Sequence, residues 1–292
     1  MGLLLYDLSP HLMSMTSQIQ FNPNLQPEKS RSSTAGFIWD ATKDTSVTVD
    51  YFKINRKNEI DRLSSSFVVA RNFLGEARFA NAVLRDPNPL SWLPGVPNSG
   101  PIQTVLRQYL NLGGTEVSGI DLDVSHKMNL GEMGKLTLVT SVTHNISNKF
   151  AREKGDPFID SIGGFNSPRV RGNFSATWEY RDWTVGARYN YVGTYHITDS
   201  SSTCADNIGQ RAIDNVPGIC DVRSWQTIDA NVTYTGFKNL TLRLVVRNLR
   251  DDKPPFDYAA AAFIYGLTPG YNPDFHNPLG INGALSATYT FK

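Results

Sequence analysis

The stretch Asn282-Gly-Ala-Leu-Ser-Ala-Thr-Tyr-Thr-Phe-Lys292 ends the chain and decides its fold class. Its residues alternate with a period of two, so one face of a strand is apolar or aromatic and the other is mostly hydroxyls and an amide. Such a strand faces lipid on one side and a wet lumen on the other, and it pairs all its backbone groups only in a closed sheet. It therefore predicts the closing strand of a transmembrane β-barrel. The apolar face holds Gly283, Leu285, Ala287, Tyr289 and Phe291.

Other segments repeat this alternation, most clearly residues 170–180 and 183–191 on either side of a tight hairpin turn at Arg181-Asp182. We predict an all-β fold, an antiparallel up-and-down transmembrane β-barrel, of which about nine C-terminal strands are present. The closing strand is expected to pair with the strand before it. The predicted strands are 32–40, 46–55, 115–126, 134–145, 170–180, 183–191, 225–234, 239–248 and 282–291.

The connections between these strands alternate in length, and short and long ones never exchange sides. This arrangement is typical of outer-membrane barrels, which have short periplasmic turns and long outer loops, whereas a soluble β-sandwich has no reason to keep every long loop at one end. The short connections are 41–45, 127–133, 181–182 and 235–238, and the long ones are 56–114, 146–169, 192–224 and 249–281.

Composition excludes several classes of protein. The 292 residues are 40% hydrophobic and 19% charged with a net charge of +1, so they suit a folded chain and give no basic patch for nucleic acid. No stretch approaches the ~20 apolar residues of a membrane-spanning helix. Residues 1–20 lack the pattern of a secretory signal, so we expect a fragment, a misplaced start codon or a protein that is not exported.

Two cysteines, Cys204 and Cys220, lie 16 positions apart in a segment rich in Ser, Asp, Asn and Gly. Without further cysteines or well-spaced histidines they do not complete a zinc site. We predict a loop disulfide, which implies an oxidising compartment, and two free thiols remain the alternative.

Charged residues on the polar strand faces are expected to line a hydrated lumen. Asp121 and Asp123 share one face and invite a cation-site hypothesis, but His126 falls on the opposite face, so lumen lining is preferred. The sequence has no nucleophile elbow, zinc helix or phosphate loop, and we expect no enzyme, no catalytic residue, no cofactor and no metal. The predicted lumen-facing residues are Asp121, Asp123, Arg171, Glu179, Arg188, Asp229, Arg243 and Arg247.

Ligand contacts are expected in the long loops, where aromatic side chains supply surface for recognition. His196 and His276 are isolated loop histidines, for which a structural role is more common than ligand binding. The candidate contact residues are Trp92, Phe256, Tyr258, Phe263, Tyr265 and Tyr271.

Several motifs resemble the C-terminal barrel half of TonB-dependent outer-membrane receptors, from Asn22 onward. The most specific is Asn248-Leu-Arg-Asp-Asp-Lys-Pro-Pro255, in which Asn248 and Asp251 suit a strand exit and the prolines force the chain into a loop. The chain departs from the family pattern at Ile281, where arginine is frequent, and at Lys292, which follows the terminal aromatic residue. The other similar stretches are 22–30, 47–60, 117–122, 225–229, 239–242, 270–273 and 277–280.

The resemblance implies a Gram-negative outer-membrane location and a barrel of about 22 strands with a plugged lumen. It implies active uptake of a scarce ligand, a siderophore, a cobalamin or an oligosaccharide, driven by the TonB complex through the plug. Residues 1–31 are expected to be a residual segment and 32–292 part of the barrel, with the plug and N-terminal strands missing, so the chain alone should transport nothing. A passive porin-like barrel, a surface adhesin and, less favoured, a soluble carbohydrate-binding β-protein are the alternatives.

Overall fold

The structure, a computed structural model, describes residues 16–151, 153–164, 167–198, 203–205, 210–258 and 270–291, and strands make up most of them. The helices are α1 (Ser65–Phe73) and α2 (Gln210–Asn215), with 3₁₀ turns at Ala77–Phe79, Pro89–Ser91 and Gly131–Met133. The strands are β1 (Thr16–Gln20), β2 (Lys29–Thr42), β3 (Thr45–Lys57), β4 (Ile60–Arg62), β5 (Val83–Arg85), β6 (Ile102–Asn111), β7 (Gly114–Asn129), β8 (Lys135–Ala151), β9 (Ile159–Asp160), β10 (Val170–Tyr180), β11 (Trp183–Val192), β12 (Tyr195–His196), β13 (Asp221–Val222), β14 (Trp225–Phe237), β15 (Leu240–Arg247) and β16 (Asn282–Tyr289).

The chain divides into two compact units. The larger unit contains residues 30–56, 115–151 and 156–292, and the smaller contains 1–29, 57–114 and 152–155. The larger unit is built on one sheet in which the strands follow the order β16-β15-β14-β11-β10-β8-β7-β3-β2, with β9 added beside β8. All nine predicted strands are thus present. The observed β7 and β8 are longer than predicted and extend into the connections expected beyond them.

Pairing in this sheet is antiparallel from β8 to β16, and its register keeps the two predicted faces separate. In the hairpin of β10 and β11, Phe174 lies opposite Tyr189 and Tyr180 opposite Trp183 on the apolar face. Asn173 lies opposite Asn190 on the other face. Because a shift of one residue would exchange the faces, the alternating pattern fixes the register.

The closing strand behaves as the sequence predicts. β16 pairs with β15 throughout, and Leu285 lies opposite Leu244 on the apolar face, while Ser286 lies opposite Arg243 on the polar one. The Leu285 side chain is 75% exposed, because no second layer covers the apolar face of this strand. An exposed apolar face of this kind fits a lipid environment rather than water.

The sheet is open in the described part of the chain. β2 and β16 lie at its two ends, and each has one strand neighbour there. An open edge leaves a row of unpaired N–H and C=O groups, which is a large cost in lipid. The larger unit is therefore part of a barrel wall and not a closed barrel.

Tight turns join the strands at the end with short connections. Arg181 and Asn239 adopt left-handed backbone conformations with φ of 52° and 60° in two of these hairpins. In a third, Gly134 has φ of 91°, and a side chain there would collide with the Glu179 carbonyl oxygen of the neighbouring strand. A glycine is required at this position because its backbone is both left-handed and closely approached.

The prediction that residues 56–114 form one long loop is wrong. They contain α1, β4, β5 and β6, and β6 also pairs in parallel with β1 from residues 16–20. A structureless loop of this length is uncommon in folded proteins, and this segment has enough apolar residues to fold on its own. The predicted boundary between residues 31 and 32 stays a prediction, since the compact units are drawn by contacts rather than by family limits.

The smaller unit has its own hydrophobic core. It buries Leu63, Val68, Phe79, Val83 and Val105, which come from its helix, its strands and the segments between them. Helix α1 starts where the Ser64 side chain accepts a hydrogen bond from the Phe67 backbone N–H at 3.1 Å, a typical N-cap.

Within this unit, the beginning and the end of the segment 58–113 meet. The Asn58 backbone N–H donates to the Gly113 carbonyl oxygen at 3.2 Å, so the two ends of the segment lie side by side.

Candidate functional site

The polar face of the large sheet forms a cleft near the end where the long connections lie, with a volume of about 600 Å³. Its walls come from β8, β10, β11, β14 and β15, and residues 275–282 contribute one side. Side-chain amides dominate the lining, because polar residues alternate on these strands. The amides belong to Asn145, Asn173, Asn190, Asn248, Asn277 and Asn282.

Among the described residues that line the cleft, Asp229 is the one carboxylate, and it is already hydrogen-bonded. It accepts from the Asn190 side-chain amide at 2.9 Å and from the Asn248 backbone N–H at 2.9 Å. Both oxygens have donors from neighbouring segments, so Asp229 helps to position the strands around it while it keeps its negative charge.

Two arginines carry the positive charge of the cleft. The Arg171 guanidinium lies 4.8 Å from the centre of the Phe275 ring, and Arg247 lies opposite Asn282 in the pairing of β15 with β16. Both side chains are exposed, and neither has an ion pair or a hydrogen bond among the described residues. The cleft therefore presents guanidinium donors that suit carboxylate, phosphate or other anionic groups.

The aspartates considered as a cation site lie on the polar face, and each accepts a hydrogen bond from a hydroxyl group of the next strand. The Thr143 hydroxyl donates to Asp121 at 2.6 Å, and the Ser141 hydroxyl donates to Asp123 at 2.5 Å. No group of three metal-ligating side chains occurs within the described ranges. The arrangement fits lumen lining better than metal coordination.

A segment between β15 and β16 covers part of the cleft, and we call residues 272–279 the strap. Asn272 begins it: its side-chain oxygen accepts from the Asp274 N–H at 2.9 Å, and its carbonyl oxygen accepts from the His276 N–H at 3.0 Å. Asn277 makes a similar turn, accepting from the Leu279 N–H at 2.9 Å. Asparagine favours such turns because its side chain mimics a backbone carbonyl.

The family-like motif after β15 ties both ends of this connection together. Asn248 has φ of 52° and is 4% exposed, and its side chain bonds the Asp252 backbone in both directions at 2.9 and 3.0 Å. Asp251 accepts from the Ile281 N–H at 2.8 Å, where the connection enters β16. This bond and the nearby Lys253 ammonium hold the pKa of Asp251 below its ordinary value.

A small buried cluster anchors the strap. Tyr195, Ile197 and Val222 are at most 2% exposed, and Phe275 and Tyr258 pack against them. The Tyr195 hydroxyl donates to Asp257 Oδ2 at 2.7 Å. Burial, followed by this bond to Asp257, raises the pKa of the Tyr195 phenol well above its ordinary value.

The two cysteines form a disulfide in the structure, with their Cα atoms 6.0 Å apart. Cys204 and Cys220 also pack against the buried cluster, so the bond closes the connection between β11 and β14 next to the residues that hold the strap.

His276 lies at the centre of the strap and is 3% exposed. Its ring stacks on Tyr195 at 6.3 Å between centres and meets Trp225 edge-on at 5.4 Å. Neither ring nitrogen has a hydrogen-bond partner among the described residues. Burial lowers the pKa of His276; the Asp257 carboxylate and the Asn272 backbone oppose this effect, and the Arg171 guanidinium makes the smallest contribution, in the same direction as burial.

The predicted lumen residues divide into two groups. Three of them line the cleft, Arg171, Asp229 and Arg247, and five share its face but lie outside it, Asp121, Asp123, Glu179, Arg188 and Arg243. Sequence reasoning missed Phe275 and dismissed His276 as merely structural. The proline and asparagine turns around them were visible in the sequence, but an irregular segment gives no periodic signal of what it will cover.

The predicted loop contacts do not gather at the cleft. Trp92 belongs to the smaller unit, where its indole N–H donates to the Asp86 carbonyl oxygen at 3.0 Å. Phe256 is 60% exposed, Tyr258 packs against the buried cluster, and Tyr271 is half-buried. Their role in ligand contact stays a prediction. Phe263 and Tyr265 lie outside the described residues.

Comparison with known proteins identifies the family of this chain. The family described as "TonB dependent receptor-like, beta-barrel" matches residues 5–249, which is most of the chain. The chain belongs to this family. No protein among the curated sequences matches the chain.

Solved structures of siderophore receptors and of an iron transporter share the fold. The siderophore receptor PirA from Acinetobacter baumannii matches with a TM-score of 0.58 and 16% identity over 94% of this chain and 33% of that chain. A variant of the ferric enterobactin receptor PfeA from Pseudomonas aeruginosa, in complex with enterobactin, gives 0.57 and 16% over 94% and 33%. The FrpB iron transporter from Neisseria meningitidis gives 0.55 and 15% over 94% and 33%. The chain thus spans about a third of the length of the structures that it matches.

None of the helices in the described residues is long and apolar enough to cross a membrane.

Proposed function

We propose that this chain forms wall and outer loops of a TonB-dependent receptor in the outer membrane of a Gram-negative bacterium, and that the polar cleft contacts an anionic ferric siderophore during active uptake. The observation that carries the proposal is the pair of guanidinium groups, Arg171 and Arg247, which have no ion pair among the described residues and line a cleft where the described part of the chain supplies one carboxylate, already hydrogen-bonded. The family membership and the siderophore receptors among the similar structures support it.

Charge favours this ligand class over the other two in the family's range. A cobalamin or a neutral oligosaccharide gains little from an arginine that lacks an acidic partner, whereas a tris-catecholate iron complex carries negative charge and many acceptor oxygens. The amide lining adds donors and acceptors around the arginines. Phe275 and Trp225 supply aromatic surface next to them.

In this proposal the chain has three kinds of partner. Lipid covers the apolar face that leaves Leu285 exposed, and further strands pair with the open edges of β2 and β16. A plug occupies the lumen, and the TonB complex acts on that plug. The strands and loops of this chain capture and guide the ligand, while force on the plug opens the path.

The test is ligand binding to the chain in outer-membrane vesicles, followed by quenching of tryptophan fluorescence, to which Trp225 in the cleft contributes. Ferric enterobactin is the anionic probe, and a neutral ferric trihydroxamate, cyanocobalamin and a linear oligosaccharide are the comparison ligands. We expect ferric enterobactin to bind best. Replacing Arg171 or Arg247 by alanine should weaken its binding about tenfold or more, the usual effect of losing a charge-assisted hydrogen bond.

Arg243→Ala is the matched control, because Arg243 lies on the same strand and face as Arg247 but outside the cleft. It should leave binding unchanged. Equal binding of the neutral trihydroxamate, or equal loss in all three variants, would show that the two cleft arginines do not select the ligand.

A further inference from the structure

The strap is held over the cleft by a histidine in an unusual environment. His276 is almost fully buried, its two ring nitrogens have no partner among the described residues, and aromatic rings surround it. A neutral imidazole tolerates this site at the cost of unmet hydrogen bonds. A protonated one would bring a desolvated charge among aromatic rings, which is more costly.

The elements packed against His276 differ in the charge that they bring to it. From β10, the Arg171 guanidinium repels an imidazolium; from the segment after β15, the Asp257 carboxylate attracts it. Tyr195 of β12 is neutral, and its hydroxyl is already committed to Asp257. Trp225 of β14 carries no charge, and Asp274 within the strap is exposed.

The Asp257 carboxylate and the Asn272 backbone compensate a proton on His276 only in part, because the loss of hydration on burial is the larger effect. The Asp257 carboxylate also accepts a hydrogen bond from Tyr195, and the Arg171 guanidinium lies 4.8 Å from the ring centre of Phe275, the residue that precedes His276 in the strap. When His276 gains a proton, the strap can relieve both the desolvation and the repulsion only by leaving the cluster. Phe275 would leave with it, because the two residues are adjacent.

We propose that residues 272–279 form an acid-released strap, in which protonation of His276 withdraws the strap from the cleft and separates Phe275 from the Arg171 guanidinium. At neutral pH the strap stays closed over the cleft, and in acid it opens while the sheet beneath keeps its register. This device concerns the protein without ligand, so it stands or falls separately from the siderophore proposal.

The sign of the effect follows from linkage. The pKa of His276 is lowered in the closed strap and ordinary in the open one. Closure is therefore fully stable above the ordinary histidine pKa of about 6.5 and weakens as the pH falls below it.

The test is hydrogen exchange of the full chain in the membrane in which it is produced, at about pH 7.5 and about pH 5, corrected for the intrinsic pH dependence of exchange. Strap amides should exchange faster at the lower pH, by at most about thirtyfold, the limit set by an exposed imidazole of pKa about 6.5. Amides in the centre of β10 should show no change. Equal corrected exchange in the strap at both pH values would overturn the proposal.

His276→Phe keeps an aromatic ring but removes the proton, so its strap should exchange slowly at both pH values. His196→Phe is the matched control: His196 is an exposed loop histidine paired with Asp221, and this variant should keep the wild-type response. A full acid response in His276→Phe would refute the switch.

If His276→Phe opens the strap at both pH values, a second variant, Arg171→Gln, tests the proposal. Removing the repelling cation should make the acid response smaller than in the wild type, and a response of unchanged size would refute the role given to the His276 environment.

Discussion

Tyr195 and Asp257 are joined by a buried hydrogen bond of 2.7 Å, although they are 62 positions apart in the chain. Each is 2% exposed. Tyr195 follows β11 and Asp257 follows β15, so a single bond links two long connections at the same end of the sheet. These connections are therefore one packed structure and not two independent loops.

Replacing Tyr195 with phenylalanine should loosen this structure. The change removes the hydroxyl but keeps the ring, and a buried carboxylate that loses a donor costs about 1–3 kcal/mol. Hydrogen exchange of residues 270–280 should rise, while β10 stays protected. Tyr258→Phe is the control, because the Tyr258 hydroxyl has no hydrogen bond among the described residues. An equal effect of the two substitutions would argue that the hydrogen bond between Tyr195 and Asp257 does not link the connections.

Alkaline pH should act on the same bond. Because the pKa of Tyr195 is raised in the folded protein, the stability that its phenol contributes is complete below pH of about 10, the unfolded value, and declines above it. Absorbance titration of tyrosinate should give the same curve for the wild type and for Tyr195→Phe up to about pH 11. A phenol that titrates near 10 in the wild type and is missing in the variant would contradict this expectation.

Breaking the disulfide should weaken the same buried cluster from another side. Cys204 and Cys220 are 16 positions apart, and a closed loop of this length is worth roughly 3 kcal/mol by the entropy it removes from the unfolded chain. A double Cys→Ser variant should show faster exchange in residues 195–197 and 221–222, and a reducing agent should reproduce this in the wild type. Unchanged exchange in both experiments would show that the cluster does not depend on the bond.

Gly134 should tolerate no side chain. In Gly134→Ala, the added carbon would meet the Glu179 carbonyl oxygen while the backbone stays at φ of 91°. Gly131 has φ of 63° and open space around it, so Gly131→Ala should cost only the left-handed conformation, about 1 kcal/mol. The temperature at which membrane-extracted protein loses its heat-modifiable migration should fall much further for Gly134→Ala. Similar temperatures for both variants would mean that the hairpin shifts to admit the methyl group.

The faces of β16 should differ in their tolerance of charge. Leu285→Arg places a cation on the face expected to meet lipid, at a cost of about 2–4 kcal/mol near the bilayer midplane, whereas Ser286→Arg points to the polar side. Only the first variant should reduce the amount of folded protein in outer-membrane fractions. Equal loss for both would contradict the assignment of the faces.

The sequence predicted those parts of the fold that rest on period-two alternation. In β10 and β11, apolar and polar residues occupy alternate positions, so each strand has one apolar and one polar face. The two-residue turn at Arg181-Asp182 allows only one register between the strands, and the hairpin and its faces could therefore be predicted together. The same parity placed Arg171 and Arg247 on the polar face, where both line the cleft. That this face meets a lumen stays a prediction.

Other parts depend on contacts that no local pattern reveals. Leu63, Val68 and Val105 form one core only after three separate segments meet, so the smaller unit looked like a loop. Phe275 reaches Arg171 from an irregular segment, and nothing near either residue in the sequence announces the contact. The environment of His276 likewise comes from Tyr195 and Trp225, which lie on other elements.

The hydrogen bond between Asn58 and Gly113 bears on the order in which the chain folds. Most neighbours in the large sheet are also neighbours in sequence, so each hairpin can add to the one before it after a short search. The pairing of β3 with β7 spans the longest connection in this sheet, since the whole segment between them must first be crossed. If residues 57–114 fold first, their ends touch and hold β3 close to β7, which shortens the search of these two strands for each other. Early folding of this segment would then set the rate at which β2 and β3 join the rest of the sheet.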